Sequence, residues 1–388
     1  MRYPLAGQCN PTFDEIARKL GDFTCQDAPA IIHLRNPFGL SNWTLPVVEL
    51  MMVAGAVLAL WYSIRRLRRH GDPVNLALWI ATVVYLFVIE IPLYFPDSFG
   101  IEEDLGIVFA HNAFTVQFMF ERLPLYIIAL YPAVITVAFE IVRSLGVFRD
   151  RGIVVGAICV GFVHHCFYEV FDQLGPQLRW WAWNTDNATN HPLAASVPMT
   201  SMVIFATLGP FAATLLVMGL VGRKSEKLAE SASPARLSGV SLGWRSVVAG
   251  VLVPVGIGIL STPSSVVGRG DTPNTTAQAI VFWIELVIFA AISVPVLVQQ
   301  WSRHRNSAEG IPTNEFVRVF APIYLVVLAV LWVSALPDYF GAVDGITSDD
   351  TPIGNVWYAA GCLIIAALAG LSVSVRTRTV SVREISRV

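Results

Sequence analysis

The sequence is poor in charged residues: only 14% of its 388 residues are Asp, Glu, Lys or Arg, whereas 55% are hydrophobic. A soluble domain of this length needs a charged surface, so the composition argues against one and favours a membrane protein. No basic stripe with interleaved aromatic residues is present, so nucleic-acid binding has no support. Residues 1–20 lack an apolar core beside their basic residues, and we therefore expect no signal peptide.

Histidine is also scarce, with seven in the chain. A membrane oxygenase of the histidine-box type needs more, because only His111, His164 and His165 fall where they could share a site. A metal ion bound by His164, His165 and Glu169 remains a minority alternative. We predict no cofactor.

Long apolar stretches are abundant, and nine of them can cross about 30 Å of hydrocarbon at about 1.5 Å per residue. They lie near 44–63, 75–95, 123–144, 152–172, 199–221, 246–264, 277–300, 317–336 and 355–375. We therefore predict an all-α integral membrane protein, a bundle of about nine transmembrane helices.

Basic residues alternate between loops, and 19 of the 26 fall in one set of connections. The other set carries acidic residues, near 97–104 and 338–350. Because Lys and Arg are retained in the cytoplasm, we predict an extracytoplasmic N-terminus and a cytoplasmic C-terminus, in a multi-pass protein of the plasma membrane.

The same pattern divides the chain into regions. Residues 1–43 form an extracytoplasmic cap, in which Cys9 and Cys25 could form a disulfide. A five-span half (44–221) precedes a cytoplasmic linker (222–245), a four-span half (246–375) and a cytoplasmic tail (376–388). The apolar segment 105–120 is short, and a crossing there would invert every later loop, so we predict a re-entrant or interfacial segment on the outer side.

Ionisable side chains inside the predicted spans are costly and usually face the bundle interior. They are Glu49, Glu90, Glu140, His164, His165, Glu169 and Glu285. The topology places four of them, Glu49, Glu90, His165 and Glu169, in one outer layer, with Asp172 at its lip and Glu285 somewhat deeper. Glu140 lies near the inner end, where an i,i+3 pair with Arg143 explains it.

Within the fourth span, His165, Glu169 and Asp172 are spaced i, i+4 and i+7 and share one helix face. His165 and Glu169 could simply satisfy each other while they hold helices together. With the carboxylates of neighbouring spans, and with His111 or Glu121 from the adjoining segment, they could instead form a functional pocket.

Such a carboxyl-rich layer suits proton transfer. Burial in general makes a carboxyl group a better proton donor near neutral pH, and a neighbouring carboxylate or histidine can accept. Protonation of an alkene or enol ether, hydration or cyclisation of an apolar substrate would fit. We predict Glu90 and Glu169 as proton donor and acceptor in either order, His165 tuning Glu169, and Asp172 as a further acid/base group.

Other polar and aromatic residues are predicted to contact the substrate. They are Glu49, His111, Glu121, His164, Trp180, Trp181, Trp183 and Glu285. For the three tryptophans, an aromatic belt at the outer headgroups explains most of the pattern, and the mouth of a ligand pocket is the alternative.

The stretch FYEVFDQLGPQLRWWAW (167–183) resembles a region of bacterial carotenoid-biosynthesis membrane proteins, whose hydratase members add water to the end of a polyene. It also resembles membrane spirocyclases of polyketide pathways. Upstream of it, VIEIPLYFPDSFG (88–100), an amphiphilic outer segment and ERLPLYIIALYP (121–132) have an order similar to that in both families, so the likeness covers about residues 75–184. The Asp-Pro of the hydratases is replaced here by Leu174-Gly175-Pro176.

This resemblance implies that Glu90, Glu169 and Asp172 are acid/base groups. The predicted function is therefore a membrane hydratase or cyclase acting on an isoprenoid or polyketide, with membrane lipids and an apolar small molecule as partners. A proton-coupled transporter or lipid carrier is the first alternative, and a non-catalytic subunit of a larger complex is the second.

Overall fold

A computed structural model describes residues 10–21, 23–24, 28–229, 235–268, 274–305, 310–311 and 313–374. Cys9, Cys25 and the tail 376–388 lie outside these residues. The helices are α1 Pro11–Gly21, α2 Thr44–His70, α3 Val74–Tyr94, α4 Pro96–Phe99, α5 Leu125–Ser144, α6 Val147–Asp172, α7 Gly209–Val217, α8 Arg223–Ala229, α9 Gly239–Leu260, α10 Thr262–Gly268, α11 Thr275–Arg305, α12 Glu315–Gly341 and α13 Val356–Ser374. The strands are β1 Ile32–Leu34, β2 Phe109–His111, β3 Val116–Phe118, β4 Leu123–Pro124, β5 Trp181–Trp183, β6 Leu193–Ala194 and β7 Val197–Pro198.

The described part of the chain contains nine helices that are long and apolar enough to cross a membrane. This confirms the predicted helical membrane protein and its number of spans. The fifth span, Ser201–Leu228, is continuous but mixed, since α7 is flanked by π-helical segments at Ser201–Leu208 and Met218–Gly222. Helices are the expected outcome, because hydrocarbon offers no partner for a backbone amide.

The first half of the chain supplies the centre of the bundle. Within the most apolar 18-residue stretch of each helix, 89% is buried in α5 and 72% in α6, whereas only 17% is buried in α11. Close helix contact depends on small residues: a Cβ on Gly161 of α6 would lie 2.9 Å from the backbone oxygen of Thr207. α5 and α6 therefore provide the interior positions at which polar side chains can be shielded from lipid.

The segment 105–120 folds as short strands rather than as a helix. β2 pairs antiparallel with β5, and β3 pairs with both β1 and β4. β2, β3 and β4 lie between the end of α3 and the start of α5 in the chain, so both helix ends lie at the same end of the bundle. We call it the cap end.

The opposite end is closed by a buried network around Glu140. Its carboxylate accepts hydrogen bonds from Tyr62 (2.6 Å), Asn314 (2.6 Å), Asn75 (2.9 Å) and Arg143 (3.4 Å). The predicted contact with Arg143 is present, but the carboxylate also joins α2, α3, α5 and the start of α12. Glu140 is thus a structural residue.

Basic residues at the same end form ion pairs. Arg65 pairs with Glu315, and His304 pairs with Asp150, which brings the ends of four spans together. Between α2 and α3, burial would raise the pKa of Asp72, but the adjacent Arg143 and Arg66 outweigh burial and lower it. Part of the predicted linker 222–245 is helical, because α8 and α9 extend into it, and residues 230–234 lie outside the description.

Candidate functional site

A small cavity of about 30 Å³ lies at the cap end, between α3, α5, α6 and the β2–β5 pair. A water molecule needs roughly 10–15 Å³ of such space, so the cavity holds about two water-sized groups. Its lining residues are Glu90, Phe109, His111, Ile127, Leu130, Tyr131, Tyr168, Phe171, Asp172, Trp181, Trp183 and Phe205. Two carboxyl groups and one imidazole thus meet inside an aromatic wall.

The β2–β5 pair places the imidazole and two indoles in this wall. His111 lies opposite Trp181, and Phe109 lies opposite Trp183. Side chains alternate along a strand, so these four share one face, while the intervening Ala110 packs on the other face against α1. The pattern is visible in the sequence as FAHN (109–112) and WAWN (181–184), in which aromatic residues flank a single alanine.

Glu90 occupies the last turns of α3 and is buried. Its Oε1 accepts a hydrogen bond from the hydroxyl of Tyr131 at 2.8 Å, and its Oε2 has no hydrogen-bond partner among the described residues. Nearby, the hydroxyl of Tyr94 lies 3.0 Å from Nδ1 of His111. One carboxyl oxygen is therefore held in place, and the other is left available to a ligand.

Asp172 ends α6 and has a similar arrangement. Its Oδ2 accepts a hydrogen bond from Ser201 Oγ at 2.8 Å, and its Oδ1 has no such partner within the described part of the chain. Ser201 is the first residue of the π-helical segment, a conformation that is often found at functional sites. Tyr168, one turn earlier on α6, completes this side of the cavity.

Burial fixes the protonation state of His111. Removal from water lowers the pKa of this imidazole to about 3, because the charged form loses its hydration. His111 is therefore neutral near pH 7. In that form one ring nitrogen donates a hydrogen bond and the other accepts one.

The tryptophans do not form the expected aromatic belt at the headgroups. Trp180 and Trp181 are fully buried, and Trp180 Nε1 donates to Thr44 Oγ1 at 2.8 Å. The Nε1 groups of Trp181 and Trp183 have no acceptor among the described residues. A Cβ on Gly175 would lie 2.0 Å from the Trp181 ring, so only glycine leaves room for this indole. The belt interpretation is wrong for Trp180 and Trp181, because both pack inside the protein.

Glu169 and His165 share a face of α6 with Asp172 but have different neighbours. Nδ1 of His165 contacts Met202 O (3.2 Å) and Thr207 Oγ1 (3.0 Å), and the hydroxyl of Tyr358 lies 2.6 Å from its Nε2. The distance from Nδ1 to Glu169 Oε1 is 3.9 Å, which is too long for a hydrogen bond. Neither Glu169 nor His165 is among the described residues that line the cavity.

Glu169 is instead held where α6 meets α13. Gln173 Nε2 donates to Glu169 Oε2 at 2.9 Å, and Gln173 Oε1 accepts from the backbone amide of Asn355 at 2.8 Å. The cavity lining therefore contains Glu90 and Asp172, whereas Glu169, which we predicted as the partner of Glu90, lies outside it. One α6 turn contains both carboxylates, but different neighbours cover them.

The π-helical segment also binds the second histidine. His164 Nδ1 donates to Ala206 O at 2.7 Å, and its ring stacks on Tyr168 of the cavity wall, but His164 itself is not among the lining residues. The described residues contain no group of three His, Cys, Asp or Glu side chains placed to bind a metal ion. The alternative metal set of His164, His165 and Glu169 thus gains no geometric support.

The remaining predicted site residues are dispersed. Glu49 is buried and accepts from the backbone amide of Val116 at 3.3 Å. Glu121 forms ion pairs with Arg35 at 3.2 Å and with His33. Glu285, on the peripheral helix α11, has no hydrogen-bond partner for either oxygen among the described residues. The structure places none of the three in the cavity lining.

A larger cavity of about 360 Å³ lies at the opposite end, with Arg66, Arg143 and Arg149 in its wall. Its arginines are engaged in ion pairs, and its one carboxylate is the fully bonded Glu140. The smaller cavity is therefore the one whose lining carboxyl groups have oxygens without partners among the described residues.

Tyr131 and Tyr168, which line the cavity, and Tyr94 and Ser201, which bond to its lining residues, were not predicted from the sequence. Tyr94, Tyr131, Tyr168 and Ser201 are ordinary residues of apolar spans, and only their contacts with Glu90, His111 and Asp172 mark them. Comparison with family models, with curated proteins and with solved structures finds no match.

Proposed function

We propose that this protein is a membrane enzyme that transfers protons to and from a lipidic substrate through Glu90 and Asp172. The observation that carries the proposal is the pair of buried carboxyl groups lining one aromatic cavity. Each has one oxygen bonded to a neighbouring hydroxyl and one without a partner among the described residues. Such a pair can act as general acid and general base.

The chemistry is the protonation of a carbon–carbon double bond. One carboxyl group donates its proton to an alkene or enol ether carbon, which leaves a carbocation at the neighbouring carbon. Water or an internal nucleophile then attacks the cation, and the second carboxylate takes up the proton that is released. Hydration results in the first case and cyclisation in the second, while loss of a different proton gives isomerisation.

The aromatic wall supports this chemistry. The faces of Phe171 and Trp181 present negative charge density that stabilises a cation, by about 0.5–2 kcal/mol per ring when water is excluded. The indole N–H groups of Trp181 and Trp183 can donate to an oxygen of the substrate. Only the reacting end of a substrate fits about 30 Å³, so the remainder would lie along the helices towards the bilayer.

The substrate class follows from the resemblance between residues 75–184 and the carotenoid hydratases and polyketide spirocyclases. We propose an isoprenoid or polyketide that enters from the leaflet at the cap end. Arg65, Arg66 and Arg143 lie at the other end of the bundle, and basic loops are typical of the cytoplasmic side, which supports an extracytoplasmic cap in the plasma membrane.

The distribution of the carboxyl groups favours an enzyme over a proton-coupled carrier. Glu90, Glu169 and Asp172 lie at the cap end, and each has one oxygen without a partner among the described residues, whereas Glu140 at the opposite end is fully bonded. A carrier needs titrating groups that communicate with both faces. An enzyme pocket that opens only near one leaflet needs no titrating group at the far end of the bundle.

Mass spectrometry of lipids that copurify with the protein tests the proposal. The native protein and a Trp181→Ala variant, which opens the cavity wall, should be extracted and analysed in parallel. We expect a polyene or polyketide-like molecule to be enriched with the native protein and depleted in the variant. Retention of bulk phospholipids alone by both proteins would contradict the proposed substrate class.

A further inference from the structure

The edge strand of the cap carries its apolar side chains on the outer side, whereas an ordinary half-buried strand carries them on the inner side. In β1, Ile32 and Leu34 point outward, whereas His33 points inward to Glu121. Arg35, the next residue, also turns to Glu121, at 3.2 Å. An edge strand over water normally has the opposite alternation, with apolar side chains inward and charged ones outward. The outward face of β1 is thus suited to an apolar medium.

The exposed apolar side chains extend beyond the strand. The exposed fraction is 78% for Ile31, 70% for Leu34, 97% for Phe38 and 63% for Trp43. We refer to Ile31, Ile32, Leu34, Phe38 and Trp43 as the apolar edge. Contiguous exposed apolar residues mark a contact with a partner or a membrane.

The apolar edge is held in a fixed conformation. Asn36 Oδ1 accepts from the backbone amide of Phe38 at 3.0 Å, which closes the short helical turn Pro37–Gly39. Asn42 donates to Leu178 O at 2.5 Å and accepts from the amide of Thr44 at 2.9 Å. The exposure of Phe38 and Trp43 therefore results from a hydrogen-bonded local structure.

The apolar edge continues a surface that faces lipid. On α2, the exposed residues Leu50, Val57 and Trp61 lie below Trp43 at helical spacing, seven, fourteen and eighteen positions later. β1 is two strands away from β4, which directly precedes α5. At about 4.8 Å per strand, the apolar edge lies within roughly 10 Å of the start of a membrane span. Trp43, the residue before α2, lies at the start of a second span.

We propose that the apolar edge inserts into the leaflet at the cap end, at the boundary between headgroups and acyl chains. The occupant of this surface is lipid, because the surface is continuous with the lipid-facing side of α2 and because its polar residues turn inward. Glu121 is then a positioning residue of the cap, since it keeps Arg35 and His33 on the inner side. This inference does not depend on the proposed enzyme function.

Fluorescent labelling in lipid nanodiscs tests the insertion. Cys9 and Cys25 are first replaced by serine, and the buried Cys159, Cys166 and Cys362 are retained. Phe38→Cys and Leu34→Cys are each labelled with an environment-sensitive nitrobenzoxadiazole probe. Lys19→Cys, whose native side chain is 74% exposed on α1, is the matched control. The nanodiscs contain lipids with or without a doxyl quencher near the top of the acyl chain, because interfacial side chains reach about 5–10 Å into that boundary.

We expect blue-shifted emission and doxyl quenching at positions 34 and 38, with neither at position 19. Equal quenching at positions 38 and 19 would overturn the proposal. Blue-shifted emission without doxyl quenching would also overturn it, because a second copy of the chain or another protein would then cover the surface. If Phe38→Cys does not fold, the Leu34→Cys variant decides between these outcomes.

Discussion

Replacement of Glu140 by glutamine should strongly destabilise the protein. The native carboxylate accepts from Tyr62 and Asn314 through Oε2, and from Asn75 and Arg143 through Oε1. A glutamine side chain has one oxygen and one NH₂ group. The oxygen can still accept two of these hydrogen bonds, but the NH₂ group would face the other two donors and could not accept from them. Hydrogen bonds to a charged group contribute about 1.5–3 kcal/mol each, so the loss of two predicts about 3–6 kcal/mol.

Titration with SDS in mixed micelles measures this change in the free energy of unfolding. Glu315→Gln is the matched control, because Glu315 pairs with Arg65 at the same end of the bundle but is 62% exposed. An exposed pair contributes about 0–1 kcal/mol. If Glu140→Gln lost no more stability than Glu315→Gln, the structural role of the Glu140 network would be refuted.

Three further predictions concern the cap end. The free energy of unfolding should fall by about 1.6 kcal/mol between pH 6.5 and pH 5, because unfolded His111 gains a proton below its ordinary pKa of about 6.5, while the folded imidazole stays neutral down to about 3. SDS titrations at both pH values check this, and His111→Gln should remove that part of the pH dependence. Gly175→Ala should displace the Trp181 indole and deplete the copurified lipid while the helix content by circular dichroism is kept. Gly354→Ala should cost about 1–3 kcal/mol in the same unfolding assay, because its Cβ would lie 1.9 Å from the backbone oxygen of Gln173.

The spans could be predicted because hydrocarbon permits few solutions for the backbone. A run of about 20 apolar residues must satisfy its amides internally, so the helices from Thr44 to Ser374 follow from hydropathy alone. The strands in 105–120 could not be predicted in this way. Their pairing joins His111 to Trp181 across seventy residues, and no local pattern specifies that partner.

The site was predicted in part for the same reason. The cost of burying a carboxyl group marks Glu90 and Glu169 among the intramembrane residues of the sequence and leaves Asp172 at the lip of their layer. Choosing between Asp172 and Glu169 requires the neighbours of α6: Ser201 lies beside one, and Gln173 and α13 lie beside the other. Helical spacing puts both carboxylates on one broad face and cannot distinguish them.

The central claim is that Glu90 and Asp172 transfer protons to carbon, and isotope exchange tests it without knowledge of the substrate. Membrane lipid extract is incubated with the reconstituted protein in D₂O, and mass spectrometry identifies species that gain carbon-bound deuterium. We predict incorporation with the native protein and with Glu285→Gln, a buried carboxyl outside the cavity lining, and its loss with Glu90→Gln and with Asp172→Asn. Incorporation that persisted in both cavity variants, or that was absent with the native protein, would contradict the account.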